Sequence, residues 1–539
     1  MKFTNEVECL ISNLKKENVS VADLLCDRHD QSKTALYYEN KNGITSHYSF
    51  GDLQTLSKKL AAALQNLGLK KGDKVAVMLP KGPEIIISAL AVWRLGAVYV
   101  PLFTAFGPKA ISYRAVHSDA SMIITNTEHR FKLQHEASDI DLSTTKVITV
   151  ASANKEIIDT DIHFWDTIEK YEPIQHNTKV NQNDLLVLIY TSGTTGHPKG
   201  VEVPVFALAS FEGYMRFGLH LRPEDVFWNI ADPGWAYGLY FSVIGPLLLG
   251  QSFIMYDAKF DVQETLHLMK KYRVTNFAAA PTVYRTMRAQ NNVEFPADLQ
   301  LHTLSSAGEP LNFDVSRWAD EVFGTSIYDH YGQTEMGMVI NNHHHPELKT
   351  SIRKNSMGMP MPGYRAVILD ENGVEQPPGV EGELAIDIKN SPLFWFKHYY
   401  KDELKTEERF IKQKRYYVTG DAASCDDDNI FYFSGRSDDI ITSSGYKIGP
   451  FEVESALMGH EAVAETTVLG KPDEKRGEIV KAFVVLKVGH TPSETLKETL
   501  SQFVKHTLSA HEYPREIEFI DALPKTPSGK VQRFYLRSK

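Results

Sequence analysis

A chain of 539 residues is too long for one compact core, so two or more domains are expected, each burying enough apolar surface to fold by itself. A hydrophobic fraction of 42% and a charged fraction of 23% exclude extensive disorder and a membrane-embedded body. A net charge of −10 excludes diffuse attraction to nucleic acid or anionic lipid, so a polyanionic ligand must be met by locally gathered positive charge.

The first twenty residues carry charges where a signal peptide needs an apolar run, and a cytoplasmic protein is expected. Cys9, Cys26 and Cys425 have no metal-ligand spacing and suit a reducing compartment. From about residue 50 to 340, short apolar runs alternate with helix-like stretches, the pattern of helices packed on mostly parallel sheets. Runs 74–79, 121–125, 185–190, 252–256 and 274–280 are apolar on both faces and are predicted to be buried strands. Arg94, Gly96 and Pro101 interrupt the most apolar stretch, 85–103, short of the roughly 18 residues of a spanning helix. After Phe260, Asp261 is placed to cap a helix, with Glu264 three residues on and Leu266 and Met269 sharing a face. His343, His344 and His345 lack partners at metal spacing and are expected in a solvated polar loop.

Past residue 360, short strands separated by Asp, Asn, Gly and Pro suggest a β-rich subdomain reaching about residue 435. Beyond 435–439 lies a small α+β pattern: a helix started by Pro450 with Val453, Ala456 and Leu457 on one face, strands 464–470 and 479–487, a helix 495–507 and a strand 516–520. The predicted organisation is α/β, with a large N-terminal domain (1–435), a short connector (436–439) and a small C-terminal domain (440–539).

The ten residues Thr191 to Gly200, TSGTTGHPKG, follow the buried strand 185–190 and precede a stretch read as helical. Small residues let the backbone curl so that several N–H groups meet one phosphate, the hydroxyls of Thr191, Ser192, Thr194 and Thr195 add donors, and Lys199 adds charge. Gly193 and Gly196 supply the bare turns. The spacing excludes a Walker A loop, because Lys199 follows Pro198 and precedes Gly200.

Further landmarks follow: DPGWAYG (232–238), SAGEPL (306–311), DHYGQTEMG (329–337), YVTGDAA (417–423), GRSDDIITSSGYKIGPFEVESAL (435–457) and PKTPSGKVQR (524–533). With them the chain from about residue 35 onward resembles the adenylate-forming superfamily of acyl-CoA synthetases, luciferases and peptide-synthetase adenylation domains, above all medium-chain acyl-CoA synthetases. The resemblance implies an ATP-dependent ligase that forms an acyl-AMP from a carboxylic acid, then an acyl-CoA, releasing pyrophosphate and AMP. ATP would meet the 191–196 loop, Lys199, the turn Gly308, Glu309 and Pro310, and the segment Asp329, His330, Tyr331, Gly332, Gln333 and Thr334. Glu335 is a hard anionic ligand suited to Mg²⁺ on the phosphates. Asp421 resembles the carboxylate that accepts the ribose hydroxyls, Arg436 the arginine beside it, and Lys530 the lysine that spans carboxylate and α-phosphate during adenylation.

The second step needs room for a thiol, and the family answer is rotation of the small domain about a hinge, here at Asp438. Ser444, Gly445 and Tyr446 would then line the CoA channel, with Arg476, Lys505 and Tyr513 as further CoA contacts. Lys447 stands where many members have arginine, which keeps the charge and loses the bidentate fork. In acetate-activating members a tryptophan occupies the position of Gly332, so an open acyl channel with Trp235 on its wall is expected, favouring medium-chain acids. The alternatives are an acetate or propionate ligase and a stand-alone adenylation enzyme loading a carrier protein, although no carrier-like segment follows Lys530. A nucleotide-binding regulator with dead chemistry would have lost Lys530, Glu335 or Asp421, and a luciferase-like oxygenase would need a luciferin pocket that the sequence does not reveal. Expected partners are small molecules, with no nucleic acid and no transmembrane segment; the oligomeric state stays open.

Overall fold

The computed structural model describes residues 3–15, 18–152, 155–191, 198–290, 293–443, 446–473, 475–508, 512–525 and 531–537, without the side chains of Tyr446 and Lys447. All five predicted buried strands are present, as Lys74–Met78, Ala120–Asn126, Leu185–Thr191, Ser252–Asp257 and Asn276–Ala279. They fall in two large sheets. One has eight strands, ordered Tyr399–Tyr400, Lys199–Pro204, Leu185–Thr191, Val98–Pro101, Lys74–Met78, Ala120–Asn126, Lys146–Val150 and Ile162–His163. Its interior pairs are parallel, and its Leu185 edge turns antiparallel.

The second sheet holds a parallel block in which Val226–Asn229, Asn276–Ala279, Thr303–Ala307 and Ile327–Gln333 lie side by side. Gly337–Asn341 then folds back antiparallel on Ile327–Gln333, and the ladder continues through Ser356–Pro360 into Phe431–Arg436, Tyr416–Cys425, Gly382–Asp387 and Ala366–Leu369. The β-rich region is therefore hydrogen-bonded to the parallel block. Helices cover the sheets: every residue of Pro83–Arg94 but Glu84 is buried, and Arg94, with no exposed side chain, is paired to Asp27 at 2.7 Å. Removing either partner would strand a buried charge, at a cost of about 3–5 kcal/mol. Asp261 caps Val262–Lys271 by accepting the Glu264 N–H at 2.9 Å, as expected.

Two expectations fail. The ten-residue loop leads into a strand, not a helix: Lys199–Pro204 pairs antiparallel with Leu185–Thr191, Thr191 opposite Lys199. Val201, Val203 and Val205 are β-branched and fully buried, which favours a pleated strand. Thr191 and Lys199 thus face each other across an antiparallel pair. His343 and His344 are not solvated; they are 2% and 9% exposed. Backbone carbonyls accept them, Phe217 O for His343 Nδ1 at 3.3 Å and Leu304 O for His344 Nε2 at 3.2 Å, and the His344 ring stacks on Tyr328 at 4.0 Å.

The C-terminal region forms its own sheet, ordered Tyr446–Ile448, Ile441–Ser443, Gly477–Leu486 and Val463–Asp473, with Glu516–Phe519 parallel to Gly477–Leu486. Helices Pro450–Met458 and Glu494–Thr507 pack on it through Val453, Leu457, Leu500 and Val504. It meets the larger part of the chain where Asn312 Nδ2 donates to Ser455 Oγ at 3.3 Å and where Phe433 and Phe451 lie 6.1 Å apart.

Candidate active site

Thr303–Ala307 and Ile327–Gln333 are parallel neighbours, with Ser306 opposite Asp329 and Ala307 opposite His330. Gly308–Pro310 consequently leaves the sheet beside Tyr331–Gln333, which run on past the parallel block paired with Gly337–Asn341, at the carboxyl edge where open α/β sheets take ligands. Gly308 has φ +100°, a left-handed conformation that favours glycine, and a Cβ built there meets nothing within 4 Å. Glu309 is held by Arg285 at 2.7 Å. Asp329 Oδ2 accepts the Leu311 N–H at 3.2 Å, while its buried Oδ1 has no protein partner. Burial pushes this carboxyl up to about 8, so at neutral pH it is mostly an uncharged acid with an O–H to donate.

Asp421 is different in kind. Strands Tyr416–Cys425 and Phe431–Arg436 place it opposite Arg436, whose Nη1 donates to Oδ1 at 3.0 Å. Oδ2 accepts from the Tyr331 hydroxyl at 2.6 Å and from Gln333 Nε2 at 2.8 Å. Burial, and then the Asp421 charge, hold the Tyr331 hydroxyl well above its usual range, so it stays a donor. A carboxylate offers about four acceptor positions. Three are filled, and the group, only 4% exposed, is fixed in direction with capacity for one more donor.

Lys199 begins the second strand of that antiparallel pair, and the short strand Tyr399–Tyr400 pairs alongside it. The Lys199 ammonium lies 4.5 Å from the Tyr399 ring centroid and 3.4 Å from its hydroxyl. That hydroxyl donates to Glu335 Oε1 at 2.7 Å. Burial, followed by the charge of Arg409, lowers the Lys199 pKa. Thr191 Oγ1, on the strand opposite Lys199, is buried without a protein partner. Ser192, Gly193, Thr194, Thr195 and Gly196 lie outside the described residues. Among the described residues no cluster of three or more His, Cys, Asp or Glu side chains could hold a metal ion by itself.

Two predicted contacts are corrected. The His330 side chain, 2% exposed, turns into the core, where it bonds the Tyr214 hydroxyl at 2.7 Å and Asn342 O at 3.0 Å. Burial lowers it to about 3, which leaves it neutral inside the core. Gly332 does not open a channel: a Cβ built on it would sit 2.0 Å from the Gly337 carbonyl oxygen and 2.7 Å from Met338 Cα. Glycine is required there because two backbones approach at the irregularity between Tyr331 and Gly332. Trp235 stands in an aromatic group, its ring 5.4 Å from Phe103 and 5.2 Å from Phe106.

In the small domain, Asp438 is exposed, its carbonyl accepting from Arg537 Nη2 at 3.2 Å. Ser443 pairs with Gly477, which brings Arg476 close to the end of strand Ile441–Ser443. The Lys505 ammonium and the Arg515 guanidinium lie over the Tyr513 ring at 5.5 and 4.6 Å. Ser444, Gly445, the Tyr446 side chain and Lys530 fall outside the described residues. Arg533, three residues after Lys530, is anchored to Glu454 at 2.7 Å and feels the charge of Glu309 in the large domain. The sequence reading missed Tyr399, Arg409 and Arg515. Tyr399 sits in the aromatic run LFWFKHYY, which marks packing but no particular partner.

A family profile described as AMP-binding enzyme matches residues 26–399, and one described as AMP-binding enzyme C-terminal domain matches 452–530. The chain is 38% identical over 520 residues to the rat (Rattus norvegicus) acyl-coenzyme A synthetase ACSM3, mitochondrial, covering 94% of this chain and 87% of that protein. The crystal structure of Brucella canis acyl-CoA synthetase superimposes with a TM-score of 0.76 at 43% identity, covering 99% of this chain and 96% of the other. ATP-bound MatB from Rhodopseudomonas palustris gives 0.84 at 26% identity, covering 97% and 98%. With buried donors and acceptors gathered around Asp421 and Lys199, the chain belongs to the AMP-binding enzyme family and is an ATP-binding, AMP-forming acyl-CoA synthetase.

Proposed function

We propose that the protein activates medium-chain fatty acids in the cytoplasm, through an acyl-AMP, and transfers the acyl group to free CoA by turning its small domain about Asp438. The observation that carries the reading is a pair of polar groups, one built on Asp421 and one on Lys199. Asp421, held by Arg436, Tyr331 and Gln333, has acceptor capacity for a ribose hydroxyl. Lys199, Tyr399 and Glu335 form a polar group suited to phosphate. Glu335 has one oxygen engaged by Tyr399 and a second to offer, which suits Mg²⁺, an ion that takes one or two carboxylates and completes its shell with phosphate and water. Such an ion would neutralise charge on the triphosphate. Lys530 at the α-phosphate would stabilise the pentacoordinate phosphorus by roughly 10²–10³ in rate. Arg476, Lys505 and Tyr513 would meet CoA.

The acid is proposed on the aromatic group Phe103, Phe106 and Trp235, an apolar surface beside the DPGWAYG turn, and no longer on Gly332. Each buried CH₂ contributes about 0.8 kcal/mol, so affinity should climb with chain length until that surface ends. The test is pyrophosphate release over straight-chain acids from two to twelve carbons, with and without CoA, in wild type and Trp235→Ala. Octanoate should be preferred to acetate and should suffer more from the substitution. A wild type preferring acetate or propionate sinks the medium-chain reading, and adenylation with no CoA-dependent turnover points to a carrier-protein acceptor.

A further inference from the structure

Beside Lys199 stands a cation that no motif marks. Arg409 lies between the helix Glu403–Glu407 and the strand Phe410–Ile411, and its Nη1 donates to Thr419 O at 3.1 Å and to Val418 O at 3.4 Å. The guanidinium is thereby fixed against the stretch of strand Tyr416–Cys425 that precedes Asp421. A Cβ built on Gly420 would lie 3.0 Å from Arg409 Nη1 and 3.2 Å from Arg436 Nη2, so two guanidinium groups flank that bare residue, whose φ is +73°. Arg409 also interacts electrostatically with Tyr399 and Glu335, and after burial it is the largest influence on Lys199. Arg436 is matched by Asp421 at 3.0 Å. Lys199 and Arg409 both lie in the field of Glu335, and Arg409 also in that of Glu383, which accepts the Gly420 N–H. The Lys199 ammonium, disfavoured first by burial and next by the Arg409 charge, would be relieved by an anion bound between the two.

We propose that Arg409 binds the β- and γ-phosphates of ATP and carries the pyrophosphate as it leaves. This rests on the ATP-dependent ligase reading given above. In the step concerned, a carboxylate oxygen of the acid bonds to the α-phosphorus, the bond from that phosphorus to the α–β bridging oxygen breaks, and the electron pair departs on pyrophosphate; no proton moves and nothing is oxidised. The leaving group gains the charge, and Arg409 and Lys199 face it from one side. AMP lacks those two phosphates and should not register the residue.

Calorimetric binding of AMP, ATP and inorganic pyrophosphate to wild type, Arg409→Gln and Arg409→Lys tests this without any acid present. Arg409→Gln should weaken ATP and pyrophosphate by about 10- to 100-fold, the range of a lost charge-assisted contact, and change AMP by less than about twofold. Arg409→Lys should recover part of the loss. Equal weakening of AMP and ATP would show that Arg409 only supports the fold, and unchanged ATP binding in the glutamine variant would remove it from the site. A wild type that binds ATP yet releases no pyrophosphate with any acid would sink the ligase reading and leave the Arg409 contact standing.

Discussion

The nucleotide end of the large domain and the surface of the small domain are built on opposite plans. Asp421 is 4% exposed and bonded by three side chains from two parts of the sheet. Lys505 is exposed, and Ser455 shares a single side-chain hydrogen bond with Asn312. A buried interlocked set holds one geometry at the cost of leaving donors stranded if any member is lost. An exposed set tolerates loss and separates easily, which suits a part that must dock and withdraw.

The largest effect expected from that contrast is on Asp421. Asp421→Ala leaves the Arg436 guanidinium, the Tyr331 hydroxyl and Gln333 without their acceptor, a loss of about 3–5 kcal/mol for a broken buried pair. ATP-dependent kcat/KM should drop at least about 100-fold and the melting temperature should fall as well. A stable variant with ordinary ATP kinetics would break the contrast at its strongest point.

Acid is the second probe, because the buried histidines belong to the large domain. Burial holds His330 at about 3 and His343 at about 4, and lowers His344 well below its usual value. The unfolded chain protonates them near pH 6.5, so their contribution is intact above that and declines as the pH drops below it. At pH 5, His330 and His343 each forfeit about 2 kcal/mol. All six tryptophans precede residue 440, so their emission reports the large domain alone. The urea midpoint read by tryptophan should be clearly lower at pH 5.0 than at 7.5; an unchanged midpoint would mean that the histidines are hydrated.

The smaller effects lie on the small domain. Lys505→Ala should raise the KM for CoA about three- to fivefold, since an exposed cation contributes under about 1 kcal/mol, and should leave acyl-AMP formation unaltered. Loss of adenylation would show that the two regions are coupled in a way the contacts do not suggest. Smallest of all, Asn312→Ala should shift the melting temperature by less than about 2 °C.

The motifs made much of this legible. The strands, the Asp261 cap and the placing of Gly308–Pro310 beside Tyr331–Gln333 follow from local pattern and from motif order. The partners of the motif residues did not, because they depend on pairing register. Tyr331 and Gln333 were readable as nucleotide contacts, but their bonds to Asp421 arise only once strands 90 residues apart share a sheet. Polarity misled at His343, whose acceptor, Phe217, is 126 residues away. Gly332 misled in another way: a glycine left bare for a neighbouring backbone reads in sequence like one left bare for a ligand. The strand Lys199–Pro204 was announced by the alternation in VEVPV, a signal outweighed by the expectation of a helix at a phosphate loop.

The pairing of Tyr399 with Val201 has a temporal consequence. Lys199 and its aromatic neighbour are separated by 200 residues, and Asp421 waits for Arg436, so a chain growing from a ribosome passes through a long interval with the first cation made and its surroundings absent. Closing so long a loop costs entropy that grows with the logarithm of its length, and contacts of high sequence separation form late in folding. The nucleotide grip is therefore among the last features to appear, whereas the sheet centred on Lys74–Met78 and Ala120–Asn126 can assemble from nearby chain. A nascent chain halted near residue 390 would carry much of the core and none of the completed grip, so nucleotide analogues would rescue only chains that have passed residue 436.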